Sequence, residues 1–211
     1  MSKNIVLCLD GTWNRPNGDD SAPPGKETNV CTVYEMSLND GQRQVTYYNQ
    51  GVGTHFGEIL RGCIGGKGLS EDIRQTYQVL AEQYEPGDRV FLFGFSRGAY
   101  TARSLAGLIY ACGLPTRADA SERVAEEAYD LYRSNARKVQ AALKKNQQTC
   151  PIEMLGVWDT VGALGIPIIL FESLNDRLFQ FHDLKLNGEV KAAYHAVAID
   201  EQRRTRQIRG R

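Results

Sequence analysis

The chain has 211 residues, enough for one sizeable domain with a buried core. Hydrophobic residues make up 42% of it and charged residues 24%, as is typical of a globular protein. The 25 basic and 25 acidic residues cancel, so the chain lacks the excess of positive charge that nucleic acid binding favours. We therefore expect no nucleic acid partner.

The five cysteines are scattered and lack the paired spacing of a zinc site, so we expect neither a metal nor a cofactor. Cys8 and Cys112 lie in apolar runs and are predicted to be small buried side chains. The first apolar run ends at Asp10, too soon for a secretory signal, and no later run is long enough to cross a bilayer. We expect synthesis in the reducing cytoplasm and leave open export by a route that needs no signal peptide.

Strand patterns and helix patterns alternate along the chain. Strands are predicted at 5–9, 44–49, 89–93 and 152–158, and helices at 29–36, 70–84, 99–112 and 119–145. The segment 190–199 fits either a helix or a strand. This alternation predicts a single α/β domain over residues 1–211, with a doubly wound, mostly parallel sheet and helices on both faces.

The segment Gly94-Phe95-Ser96-Arg97-Gly98 joins a predicted strand directly to a predicted helix. In this context G-x-S-x-G forms a nucleophile elbow, in which side chains two residues either side of the serine would clash. The serine hydroxyl then stands above the sheet at the N-terminus of a helix. The motif predicts Ser96 as a nucleophile and an α/β-hydrolase-like fold.

An activated serine needs a base and an acid that orients the base. In α/β-hydrolases the acid follows the serine in the chain and the histidine comes last. Asp159 directly follows the predicted strand 152–158, where catalytic groups of an open α/β sheet gather. It is the predicted acid, and the alternative is that it caps the next turn.

The chain has three histidines. His55 precedes the serine and breaks the usual order, and His182 lies beside an aromatic cluster. His195 follows Asp159 and is the candidate base. A structural role for His195 is an equally open alternative.

The loop after the first strand begins Asp10-Gly11-Thr12, where the second oxyanion donor of such enzymes usually lies. We expect the backbone N–H of Gly11 or Thr12 to act together with that of Arg97. Asp10 could instead anchor the loop by accepting backbone N–H groups, and the two roles stay open.

Three further features point to function less strongly. The glycine-rich segment 62–69 departs from the phosphate-loop spacing and is assigned to a loop. Arg97 and Arg103 are able to receive a lipid phosphate, although for Arg103 we favour an ion pair. The apolar stretch 170–184 fits a lid over acyl chains or, more simply, a packed cap helix.

Four blocks in order, LDGTWN (9–14), GFSRGAYTAR (94–103), LGVWDTVGALG (155–165) and HAVAIDEQRR (195–204), resemble one family. It is the α/β-hydrolase domain of type VI secretion phospholipase effectors. The resemblance implies a Ser–Asp–His lipase-type hydrolase of phospholipid esters, with Ser96 and Asp159 as nucleophile and acid. It also implies transient contact with a membrane surface, and delivery of some members into rival bacteria. A secretion-apparatus or immunity partner follows from that role.

The resemblance implies that the catalytic histidine of the family lies in a later segment, which this sequence does not contain. The resemblance therefore implies a domain lacking its C-terminal portion, with His195 or a missing downstream histidine as the base. Two hypotheses follow. The first is a serine hydrolase of carboxylic esters, of phospholipase or lipase type; the alternative is a catalytically incomplete remnant of the fold that acts as a binding protein.

Overall fold

The computed structural model describes residues 2–11, 27–51, 67–134, 136–159 and 188–197. Within these residues the strands are β1 (Asn4–Leu9), β2 (Gln44–Asn49), β3 (Arg89–Phe95), β4 (Ile152–Trp158) and β5 (Ala193–Ala196). The helices are α1 (Asn29–Met36), α2 (Lys67–Gln83), α3 (Arg97–Cys112), α4 (Glu122–Arg133) and α5 (Arg137–Lys144).

The five described strands form one sheet in the order β2-β1-β3-β4-β5, and every neighbouring pair is parallel. The central strand is β3, whose carboxyl end leads into Ser96. β1 is a continuous apolar run because helices cover both of its faces, which removes the alternation of a half-exposed strand. The predicted α/β fold class, with a parallel sheet and helices on both faces, is confirmed.

The larger core lies between the sheet and helices α2, α3 and α4. α2 presents one apolar stripe to it, formed by Ile73, Tyr77, Leu80 and Ala81, each at most 1% exposed. α3 runs beneath the centre of the sheet and is buried over most of its length. The helix that follows Ser96 is therefore fixed firmly in the core.

A smaller core covers the opposite face, where α1 packs on β1 through Val6, Cys8 and Val30. α1 begins at the N-cap Thr28, whose hydroxyl accepts from the N–H of Cys31 at 3.0 Å. Cys8 and Cys112 are both 0% exposed, so their prediction as buried apolar side chains is confirmed.

The prediction of one long helix over 119–145 is wrong, because the structure forms α4 and α5 in its place. The charge pattern is typical of an exposed helix throughout, but it carries no signal for the break. Ser134 and Asn135 in the sequence are poor residues for a helix interior, since their side chains compete for backbone groups. The Ser134 hydroxyl does so here by donating to the carbonyl of Leu131 at 2.9 Å.

Other boundaries shift less. β3 extends to Phe95, beyond the predicted end of the strand, and α2 begins at Lys67 rather than residue 70. The segment left open between helix and strand contains β5. Among the described helices, none combines the length and the apolar character that crossing a bilayer requires.

Candidate active site

Ser96 lies in the turn between β3 and α3, with φ 54° and ψ −116°. A positive φ is rare for a residue with a side chain, and such strain persists only where the surroundings enforce it. The hydroxyl does not cap α3, although Ser96 occupies the N-cap position. The turn therefore holds a half-buried serine at the positive end of a 16-residue helix, with its hydroxyl not used for capping.

The two glycines of the motif are required by close backbone contacts. A Cβ at Gly94 would lie 2.6 Å from the Cα of Ala99, and one at Gly98 would lie 2.0 Å from the carbonyl oxygen of Leu9. Both distances are far below any normal carbon contact, and the atoms they meet are backbone atoms that cannot rotate away. The steric reason for glycine at these two positions is thus present in the structure.

Asp159 directly follows β4 and also has a positive φ, 41°. The N–H of Ser96 donates to the carbonyl of Trp158 at 3.0 Å, and the N–H of Asp159 donates to that of Ala196 at 2.9 Å. Ser96 and Asp159 therefore lie at the carboxyl ends of adjacent strands. This edge of the sheet is where functional groups of α/β proteins gather.

His195 lies within β5, in register with Val157 of β4. Val157 belongs to the core on the α3 face and is in register with Gly94 of β3. His195 is thus level with Gly94, two strand spacings away, or about 10 Å. Ser96 lies farther along toward the carboxyl edge.

Desolvation lowers the pKa of His195 below its ordinary value, the positive charge of Arg103 lowers it further, and the carboxylate of Asp159 acts in the opposite sense. Although His195 is exposed, its ring is close enough to Arg103 and Asp159 for their charges to change its pKa. The lowered pKa favours a neutral imidazole near pH 7. That is the protonation state a general base needs.

The predicted oxyanion donors differ in their surroundings. Arg97 is the first residue of α3, directly after Ser96. The N–H of Gly11 donates to Oδ1 of Asp10 at 2.7 Å, so that amide is engaged by the neighbouring carboxylate. Of the two roles left open for Asp10, this contact favours the anchor. Thr12, His55, His182 and the segments 62–66 and 170–184 lie outside the described residues.

Two partners of Asp10 had no signal in the sequence. The hydroxyl groups of Thr28 and Tyr48 each donate to Oδ2 of Asp10 at 2.6 Å. They lie 18 and 38 residues away in the chain, and Thr28 is recognisable from sequence only as a helix cap. Only the pairing of β2 with β1 reveals that Tyr48 reaches this carboxylate.

No group of three or more His, Cys, Asp and Glu side chains in the described part of the chain could hold a metal ion.

The sequence of this chain is similar to one protein family and to a yeast protein. Residues 3–208 match the model of the type VI secretion system phospholipase effector family, Tle1-like, catalytic domain. Uncharacterized protein YEL023C of Saccharomyces cerevisiae is 30% identical over 233 residues, which cover 95% of this chain and 31% of the yeast protein. The chain thus spans about a third of that relative's length.

Two solved structures are similar to this chain, each at 21% sequence identity. An uncharacterized protein from Pseudomonas aeruginosa gives a TM-score of 0.48 over 79% of this chain and 30% of its own. The Tle1 effector bound to the VgrG spike of the type 6 secretion system gives 0.45 over 92% of this chain and 44% of its own.

One relative is a yeast protein, so family membership alone does not assign the chain to bacteria. The family match extends over nearly the whole chain and includes the elbow, the strand end at Asp159 and His195. On this match, the chain belongs to the Tle1-like type VI secretion phospholipase effector family and corresponds to its catalytic domain.

Proposed function

We propose that the chain is a serine hydrolase of carboxylic esters, acting on phospholipids, with Ser96 as its nucleophile. The observation that carries this proposal is the elbow. Ser96 is held at φ 54° by a strand and a helix, between two glycines whose replacement the backbone forbids. Strain of this kind costs about 1–3 kcal/mol and is typical of functional sites.

In the proposed reaction Ser96 Oγ attacks the ester carbonyl carbon while a histidine takes the hydroxyl proton. The negative charge that develops on the carbonyl oxygen is stabilised by the N–H of Arg97 and the positive end of α3. Collapse of this intermediate breaks the ester bond, and the leaving alcohol takes the proton from the imidazolium. Water then repeats the sequence on the acyl-enzyme and releases the acid.

We propose Asp159 as the acid and His195 as the base within these residues. The support for Asp159 is its place at the strand end beside Ser96. The support for His195 is its electrostatic contact with Asp159 and its lowered pKa. His195 is level with Gly94 in the sheet, two residues before Ser96. For the two side chains to meet, the His195 ring must extend toward the carboxyl edge of the sheet.

The phospholipid substrate is proposed from the family description. Arg97, beside the nucleophile, is a suitable cation for the phosphate of such a lipid. The same description, an effector of the type VI secretion system, supports a secretion apparatus as partner. We further propose transient contact with a membrane surface, cytoplasmic synthesis followed by export without a signal peptide, and an immunity protein as an alternative partner.

The test is intact-mass labelling of the 211-residue chain with a fluorophosphonate probe. We expect one adduct on the wild type and on Ser134→Ala, a control at an exposed serine, and none on Ser96→Ala. Absence of an adduct on folded wild-type protein would contradict the proposal. That result would favour the alternative, a binding protein that keeps the hydrolase fold without its activity.

His195 is tested separately in the same assay. If His195 is the base, His195→Ala should lower the labelling rate by about 10²-fold or more. Unchanged labelling of His195→Ala would remove His195 from the mechanism and leave Ser96 in place. Release of fatty acid from phosphatidylglycerol vesicles, compared with a soluble short-chain ester, then tests the substrate class.

A further inference from the structure

Asp10 carries a buried carboxylate at the carboxyl end of β1, where the residue is 1% exposed. Its oxygens accept hydrogen bonds from the N–H of Gly11 at 2.7 Å and from the hydroxyls of Thr28 and Tyr48 at 2.6 Å each. Bonds to an ionised group are about twice as strong as neutral ones. The carboxylate therefore ties together the end of β1, the start of α1 and strand β2.

The backbone of the same residue touches the elbow. A Cβ added at Gly98 would lie 2.0 Å from the carbonyl oxygen of Leu9 and 2.7 Å from that of Asp10. Gly98, the second glycine of the elbow, thus packs directly on the segment that the Asp10 side chain anchors. On the other side the N–H of Asp10 donates to the carbonyl of Asn49 at 2.7 Å.

From these contacts we infer that Asp10 is a positioning residue for the nucleophile elbow. This inference rests on the proposed function of Ser96. The carboxylate holds the end of β1 as the surface against which Gly98 packs, and so sets the height and orientation of Ser96. Thr28 and Tyr48 act through Asp10, and none of the three is assigned a contact with substrate.

The replacement Asp10→Asn keeps the shape of the side chain and changes its hydrogen bonding. One acceptor oxygen becomes an NH₂ group, so the Thr28 and Tyr48 hydroxyls must turn and accept from it, and all the bonds lose the strength that an ionised acceptor gives. The end of β1 is then held less firmly against Gly98, and the elbow is free to shift. A displacement of about 1 Å at a reacting group is able to cost about 10²-fold in rate.

The chain offers a matched control in Asp88, 5% exposed, at the opposite edge of the same sheet. Its carboxylate also accepts three hydrogen bonds, from the N–H and Nζ of Lys3 and from the N–H of Glu85. Because none of these donors can accept a hydrogen bond, Asp88→Asn disrupts buried bonds at least as strongly as Asp10→Asn, but before β3 begins and far from the elbow.

The experiment measures the rate constant of fluorophosphonate labelling at Ser96 and the melting temperature for the wild type, Asp10→Asn and Asp88→Asn. We expect both variants to melt at lower temperature and only Asp10→Asn to label about 10- to 100-fold more slowly. Equal labelling of Asp10→Asn and wild type would overturn the inference. So would slower labelling of both variants in proportion to their loss of stability.

The milder variant Tyr48→Phe covers the case in which Asp10→Asn does not fold. It removes a single donor to Asp10, and we expect labelling to slow by about 3- to 10-fold. Labelling at the wild-type rate would overturn the inference. If the wild type itself takes no adduct, the proposed function fails first and the inference falls with it, so the two failures are distinguishable.

Discussion

At Ser96 the backbone conformation is costly by itself, so the contacts around it must supply the compensating free energy. They come from three directions. The N–H of Ser96 is bonded to β4, Gly94 is pressed against α3, and Gly98 is pressed against the end of β1. The conformation of Ser96 is therefore stabilised by contacts with β4, α3 and the end of β1, and not by its own turn alone.

This geometry predicts the effect of Gly98→Ala. The new Cβ would overlap the carbonyl of Leu9 at 2.0 Å, so β1 or α3 must move. We expect a loss of about 3 kcal/mol or more in the free energy of unfolding, measured by urea denaturation. Gly188→Ala is the control, because its Cβ would meet nothing within 4 Å. Equal stability of the two variants would contradict the steric account.

A second prediction concerns His195 and pH. Because desolvation and the charge of Arg103 lower its pKa in the folded state from the ordinary 6.5, the unfolded chain binds that proton more readily. The stability contributed by the neutral ring is fully present above about pH 6.5, the pKa of the unfolded chain. It is lost as the pH falls from there through the lower pKa of the folded state.

The wild-type free energy of unfolding should therefore rise from about pH 5 to about pH 7 more steeply than that of His195→Gln. Urea midpoints measured across this range test the difference in slope. Tyr194→Phe, an exposed change in the same strand, should follow the wild-type slope. Parallel curves for the wild type and His195→Gln would show that the ring has no lowered pKa.

At the level of the elements, the side chain of Gln140 bridges the junction between α4 and α5. Gln140 of α5 is 7% exposed, and its Nε2 donates to the carbonyl of Leu131 at 2.7 Å and to that of Tyr132 at 3.4 Å. Both carbonyls belong to the last turn of α4, where Ser134 also donates, through its hydroxyl to Leu131 and through its N–H to Tyr132. Gln140 thus joins the end of one helix to the body of the next.

Replacing it by leucine keeps the helix-forming tendency and the approximate volume but removes both bonds. We expect Gln140→Leu to lower the free energy of unfolding by about 1–2 kcal/mol, as measured by thermal or urea denaturation. Lys138→Leu, at an exposed position of the same helix, should stay within about 0.5 kcal/mol of the wild type. A Gln140→Leu variant as stable as this control would show that water replaces the lost donor.

These elements also show what the sequence could predict. Strands β1, β2 and β4 and helix α1 are recognisable because local signals agree: apolar runs bounded by turn residues, and a threonine cap. The elbow is recognisable because glycine spacing and the change from strand to helix coincide. In both cases the deciding interactions lie within a few residues of one another.

The remainder depends on contacts between distant parts of the chain. The break between α4 and α5 is completed by Gln140, and the role of Asp10 by hydroxyls from α1's cap and β2. The relation of His195 to Ser96 depends on the register of three strands. Local pattern carries no information on these pairings, so the sequence left the roles of Asp10 and His195 open.

At the level of the whole molecule the helices on the two faces of the sheet are buried to very different extents. α3 buries 12 of its 16 residues in the larger core, whereas α1 buries only Val30 and Cys31. Helices with few buried contacts open locally at a lower free energy than the global unfolding. We therefore expect α1 to detach from the sheet while α3 stays in place.

Two cysteines report on this difference. Cys31 on α1 and Cys112 on α3 are 1% and 0% exposed, and burial raises the pKa of each thiol to about 11. Both thiols are buried and protonated in the closed state, so modification requires opening, and a difference in modification rate reports on local opening.

Under native conditions iodoacetamide should modify Cys31 at least about tenfold faster than Cys112, with the sites located by peptide mapping. In urea above the unfolding midpoint the two rates should converge, which serves as the internal control. Equal rates under native conditions would mean that both thiols become accessible only in global unfolding. In that case α1 is as tightly coupled to the sheet as α3, and the Asp10–Thr28 bond that joins α1 to the end of β1 is the contact to examine for that coupling.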